Sequence, residues 1–138
     1  MALTRIDCHL YRGDRAAHDA SSFVAFNPEM VPSRLVFAGS SVARDSLGSQ
    51  VAYRLAIDYF LKGVEDSYAA QAAKPNQIKG EESVVKVLED AFRSANSSVY
   101  SFGHKLSAGG RMAASLLGVA IQEGRIATGR VGFGSVYL

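Results

Sequence analysis

Short segments with the pattern of β-strands lie toward both ends of this 138-residue chain. Their apolar residues alternate with polar ones or form short runs, as in strands that pack against a core. Gln122-Glu123-Gly124 predicts a hairpin turn, because glycine adopts positive φ without strain. A second turn at 132–134 leads into a strand that begins at Ser135. The other expected strands cover residues 3–10, 22–26, 34–38, 112–121 and 125–131.

Between the two sets of strands, apolar residues recur every three or four positions, which predicts two helices. Gly39-Ser40-Ser41 is expected to end a strand and open the first helix. That helix should end at Lys62-Gly63, because glycine adopts the left-handed cap conformation at little cost. Residues 64–80 are then expected to form a mobile linker. The second helix is predicted from Glu81 to about Phe102, with one apolar face formed by Val84, Leu88, Ala91, Phe92, Ala95, Val99 and Phe102.

This order of elements predicts an α+β fold, in which an antiparallel β-sheet carries two long helices packed on one face. Alternating βαβ units, by contrast, would place a helix after nearly every strand. The length is that of one domain, residues 1–138, and such a chain buries enough surface to fold without disulfides or metal.

Composition and charge exclude several function classes. The formal net charge is +2, and Lys and Arg residues are interspersed with acidic ones, so no basic patch for nucleic acid is expected. No segment has the roughly 20 apolar residues of a membrane span. The N-terminus has no apolar core before Asp7 and does not read as a signal peptide. With Cys8 as its single cysteine, the chain is expected in a reducing compartment, the cytoplasm.

Few residues combine into a recognisable chemical site. His9, His18 and His104 lack metal-ligand spacing, and one cysteine cannot build a zinc site. His18-Asp19 is the single adjacent pair of histidine and acid, and a surface loop is its simplest interpretation. The glycines match no phosphate-binding motif. Taken alone, these residues predict a small α+β domain and no reaction.

Over residues 13–138 the chain nevertheless resembles the N-terminal half of the metal-dependent protein phosphatases of type 2C. The family pattern G-x-R-x-x-N-E-D is similar to residues 13–20, and an apolar strand that runs into A-x-D-G-x-G-G is similar to residues 35–42. Further likenesses, in family order, are G-x-x-A-S and the helix after it with residues 48–56, A-F-x-x-A-N with 91–96, the M-G-T-T strand with 112–116 and V-G-D-S-R-x-Y-L with 131–138.

The resemblance implies half of an αββα sandwich and a binuclear Mg²⁺ or Mn²⁺ centre held by aspartates, which activates water for phosphate-ester hydrolysis. Such cations need several oxygen ligands. At three of the family's aspartate positions this chain has Ala20, Gly39 and Phe133, and Ser40 replaces the glycine that follows the second aspartate. The family's remaining metal-binding aspartates belong to a C-terminal half beyond the match. The prediction is therefore a truncated pseudophosphatase without a metal cofactor.

Two other residues of the vestigial site have charged side chains at positions that match the family pattern. Arg15 matches the family's phosphate-contacting arginine and is a possible anion-binding residue. Asp19 matches the glutamate of N-E-D. A divergent serine/threonine phosphatase that uses Mg²⁺ or Mn²⁺ near Arg15, His18, Asp19 and Asp45 is the alternative. An anion sensor built on Arg15 is a third possibility.

The first hypothesis is a catalytically inactive binding, scaffold or regulatory module that works through protein–protein association. Half of a sandwich would leave strand edges and an apolar sheet face without a partner, and such surfaces favour association. We therefore expect a homodimer, or a protein partner that completes the sandwich.

Overall fold

The described residues form four strands and two helices in the order β1, β2, α1, α2, β3, β4. A computed structural model describes residues 21–28, 33–42, 47–74, 76, 81–106 and 112–132. The elements are β1 (Ser21–Phe26), β2 (Arg34–Val42), α1 (Leu47–Ala73), α2 (Glu81–Lys105), β3 (Ala114–Gln122) and β4 (Arg125–Val131).

All four strands form one antiparallel sheet in the order β1-β2-β3-β4. Ala38 pairs with Val24 on one side and with Gly118 on the other, and Gly118 pairs with Gly129. The helices interrupt this series between β2 and β3, which are neighbours in the sheet. The predicted α+β class, with an antiparallel sheet and two packed helices, is confirmed.

Both helices pack on the same face of the sheet, because two glycines leave room for two aromatic rings. Phe60 of α1 and Phe92 of α2 meet edge to face, with centroids 5.3 Å apart. A Cβ on Gly118 would lie 2.6 Å from Phe60 Cζ, and one on Gly129 would lie 2.7 Å from Phe92 Cε2. Around these rings the core is completed by Val36, Ala38, Ala56, Ile57, Val64, Tyr68, Val84, Val87, Leu88, Ala91, Ala95, Leu116 and Ala120.

Polar side chains set the register between α1 and α2. Ser67 Oγ donates a hydrogen bond of 2.9 Å to Asp90 Oδ2. Farther along, Ser83 Oγ donates to Gln71 Oε1 at 2.6 Å, and Gln71 Nε2 donates to the Ser83 carbonyl at 3.0 Å. Each of these buried or partly buried groups therefore has a partner, which avoids the cost of a buried unpaired polar atom.

The prediction that Gly39-Ser40-Ser41 ends the second strand is wrong. Strand β2 continues to Val42, and Gly39, Ser40 and Ser41 pair with residues of β3. Ser40 is buried, and its hydroxyl donates to the Ser115 carbonyl at 2.8 Å. A serine satisfied in this way fits a sheet interior, so its polar side chain does not end the strand.

The prediction that the first helix ends at Lys62-Gly63 is also wrong, and so is the linker assigned to residues 64–73. Helix α1 continues to Ala73. Gly63 is a helix-packing residue, since a Cβ there would lie 2.7 Å from Ala91 Cα of α2. The segment beyond it is held by Tyr68, which is fully buried and lies under the Arg34 guanidinium at 4.5 Å.

The second helix and the hairpin are confirmed, as are the strands predicted over 22–26 and 34–38. Helix α2 extends three residues past the predicted end, with His104 and Lys105 in its last turn, where cations interact favourably with the helix dipole. In the hairpin, Glu123 has φ 52° and Gly124 has φ 77°, the two positive values that a two-residue turn requires. The strands predicted over 3–10 and 135–138 lie outside the described residues.

Candidate functional site

Most residues of the site predicted from the phosphatase resemblance lie outside the part of the chain that the structure describes. Arg15, His18, Asp19, Ala20 and Phe133 belong to this group, as does Asp45 of the enzyme alternative. The described part contains the remaining two, Gly39 and Ser40, which are adjacent in β2.

Gly39 and Ser40 face opposite sides of the sheet and do not fit a metal site. Gly39 has no side chain to ligate a cation, and its Cα faces the ring of Phe23, whose Cδ2 would be 3.7 Å from a Cβ there. The Ser40 hydroxyl is engaged with the Ser115 carbonyl. Within the described ranges, no group of three or more His, Cys, Asp or Glu side chains is placed to hold a metal ion.

A polar pocket of about 390 Å³ lies between the start of β1 and the middle of α1. Arg54 Nε donates a hydrogen bond of 2.9 Å to the Tyr53 hydroxyl, and this bond raises the pKa of Arg54 above its ordinary value. Asp58 lines the same pocket together with Ser21 and Ser22. Because an acid stands beside the arginine, the pocket is not selective for one sign of charge.

In the described part of the chain, the side of the sheet opposite the helices, which we call the outer face, has neither helix packed on it. Strand pairing assigns its members, since directly paired residues point to the same side. Phe37 pairs with Ala25 and Val119, while Leu35 pairs with Ile121, which pairs with Ile126. The apolar residues of the outer face are Phe23, Ala25, Leu35, Phe37, Leu117, Val119, Ile121 and Ile126.

Several of these side chains are accessible to solvent. Phe23 is 45% exposed and Ile126 is 49% exposed. They lie on β1 and β4, the strands at the two edges of the described sheet. The rings of Phe23 and Phe37 contact each other with centroids 6.3 Å apart. The central residues Leu117 and Val119 are partly exposed. An apolar patch that crosses four strands is typical of an interaction surface.

The sequence carries a signal for this surface that is independent of the family resemblance. Residues 35–38 and 116–121 are apolar or glycine at every position. In a strand with one solvent-exposed face, apolar and polar residues alternate, whereas a continuous apolar run indicates burial on both faces. Helices α1 and α2 cover one face, so the runs also indicate burial of the other.

None of the helices in the described ranges is long and apolar enough to cross a membrane. Comparison of the chain with known protein families, with curated proteins and with solved structures finds no significant match.

Proposed function

We propose that this chain is a catalytically inactive, phosphatase-like binding module that works through protein–protein association. The observation that carries the proposal is the outer face, which has apolar residues on all four strands and has Thr128 and Arg130 among its polar members. The Gly39 and Ser40 positions, where the resembling family has Asp and Gly, support inactivity because neither side chain supplies a carboxylate. A cytoplasmic location is part of the proposal, since one cysteine in the chain is typical of a reducing compartment.

The partner that we propose for the outer face is a second copy of the chain. Phe37 and Val119 at the centre of the face are uncharged, and the exposed Arg130, which pairs with Leu117, lies at the β4 edge. A two-fold axis parallel to the strands places Arg130 of each copy over the uncharged β1 residues of the other, which avoids like-charge repulsion. Isologous contacts of this kind are the commonest in soluble oligomers. Two sheets packed face to face would bury both apolar layers in an interior about 10 Å thick, with the helices outside.

The size of the outer face suits such an interface. The two central strands are nine residues long, and the outer two have six and seven residues. Standard strand spacing and rise give a face of roughly 20 by 30 Å, or roughly 600 Å² in projection. The accessible area is larger than the projection because side chains stand up from the sheet. A stable protein interface buries about 800 Å² on each partner.

Changing Val119 to lysine is expected to convert the dimer into a monomer. The two-fold axis places the lysine of each copy in the same apolar interface, where an unpaired charge is costly. Sedimentation at micromolar concentration should give twice the 14.7 kDa chain mass for the unmodified protein and one chain mass for Val119→Lys. The matched control is Tyr100→Lys, which adds the same charge at a 72% exposed position on α2 and should remain dimeric.

Circular dichroism reports whether Val119→Lys keeps its fold. A second variant, Ile126→Lys, places the charge on an outer strand at a 49% exposed site that tolerates it, and should weaken the dimer at least tenfold. A monomeric unmodified chain at micromolar concentration would contradict the proposal. Folded variants that stay fully dimeric would contradict it as well.

A further inference from the structure

A cavity of about 540 Å³ lies on the helix-covered face of the sheet, at the end where β3 begins and β4 stops. It is separated from the outer face by the sheet itself. Its volume falls within the range of small-molecule sites in proteins. The apolar part of its lining comes from both helices and the sheet, and includes Ala56, Phe92, Ala95, Val99, Leu116 and Val131.

The cavity exists because small side chains meet where the core changes composition. At the level of Gly118, the rings of Phe60 and Phe92 fill the space between helices and sheet. Two residues back along β3, at Leu116, the helices contribute Ala56 and Ala95 to the lining. Over about 7 Å along the strand, alanine methyl groups of the helices take the place of phenylalanine rings. This change leaves room for a ligand.

Two polar side chains of α2 complete the lining, Arg93 and Asn96. Both are exposed residues, and they lie three positions apart, so they are neighbours on the helix surface. Among the described residues, Arg93 forms no ion pair. A guanidinium presents a planar set of donors that matches a carboxylate, and an amide can add a further hydrogen bond.

We propose that this cavity binds a small amphipathic carboxylate, with its apolar chain among the alanines and Val99 and its carboxylate on Arg93. The arrangement of an apolar interior and a cation at the rim selects this class of ligand. An uncharged chain would lose the ion pair, and a cationic one would be repelled by Arg93. The inference is independent of the association through the outer face.

Calorimetric titration with octanoate tests the proposal, with octanol and octylammonium as neutral and cationic probes of similar size. Octanoate should bind, and the cation should bind at least tenfold more weakly. Arg93→Gln should weaken octanoate binding about tenfold or more, the usual effect of removing a charge-assisted hydrogen bond, and leave octanol unchanged. Lys62→Gln, which removes an exposed charge on α1 away from the cavity, should have no effect.

Filling the cavity gives a second, independent measurement. Val99→Phe should reduce the binding of octanoate and octanol together, while Val85→Phe, at a 45% exposed site on the same helix, should change neither. Because Arg93 is exposed, Arg93→Gln decides the matter even if Val99→Phe fails to fold. Octanoate that does not bind, or that binds Arg93→Gln as well as the unmodified chain, would overturn the proposal. The same titration on Val119→Lys separates this result from that of the dimer.

Discussion

Replacing Phe60 by alanine is expected to lower the free energy of unfolding by about 4 kcal/mol. The Phe60 ring is fully buried, lies against Gly118 of the sheet and contacts the Phe92 ring edge to face. Its removal costs the transfer free energy of the ring and leaves a void under both helices. Urea unfolding at one fixed protein concentration measures the loss, since the stability of an associating protein depends on concentration.

The neighbouring variant Tyr59→Ala is the matched control, because Tyr59 is 36% exposed. It should cost less than about 1 kcal/mol. A mutant cycle sharpens the test. Gly118→Ala alone should cost about 2 kcal/mol, since its Cβ would lie 2.6 Å from Phe60 Cζ. In the Phe60→Ala background the added methyl group has room, so most of that cost should vanish. Additive effects would contradict the contact.

Replacing Gly63 by alanine is expected to destabilise the protein by about 2 kcal/mol, although alanine is the better helix former. A Cβ at this position would lie 2.7 Å from Ala91 Cα and 2.9 Å from Ser94 Cβ, so α1 and α2 would have to separate. Urea unfolding again measures the change in the free energy of unfolding.

The matched control is Gly103→Ala on α2, the same substitution in the other helix. A Cβ there would lie 3.3 Å from Met112 Sδ, the end of a flexible side chain that can move aside. The higher helix propensity of alanine should therefore dominate, and Gly103→Ala should raise the free energy of unfolding by about 0.5 kcal/mol. A Gly63→Ala variant at least as stable as the unmodified protein would contradict the close approach of the two helices at Gly63.

The sequence pattern predicted the elements that depend on local interactions and those that have one continuous apolar stripe. Helix α2 has its apolar residues on one stripe, and the hairpin turn at Glu123-Gly124 has the glycine that positive φ favours. Glycine commonly ends a helix, so the sequence pattern placed the end of α1 at Gly63. Glycine at this position instead lets a second helix approach closely, and that contact joins residues far apart in the chain.

The candidate site was predictable to a different degree in each part. The outer face can be predicted from the sequence, because β2 and β3 contain continuous apolar runs. The cavity does not appear in any local pattern, because Ala56, Ala95 and Leu116 come together from three elements. The phosphatase resemblance depends mainly on residues outside the described ranges, such as Arg15 and Asp19, and inactivity stays a prediction.

Association of two copies through the outer face is the central claim, and the most direct measurement locates the contact itself. Isotope-labelled and unlabelled chains are mixed, and isotope-filtered NMR detects methyl groups of one copy that lie close to the other. We predict contacts from Leu35, Val119 and Ile121, and none from Val85 on the exposed side of α2. Contacts confined to the helices, or no contacts between copies at all, would contradict the claim.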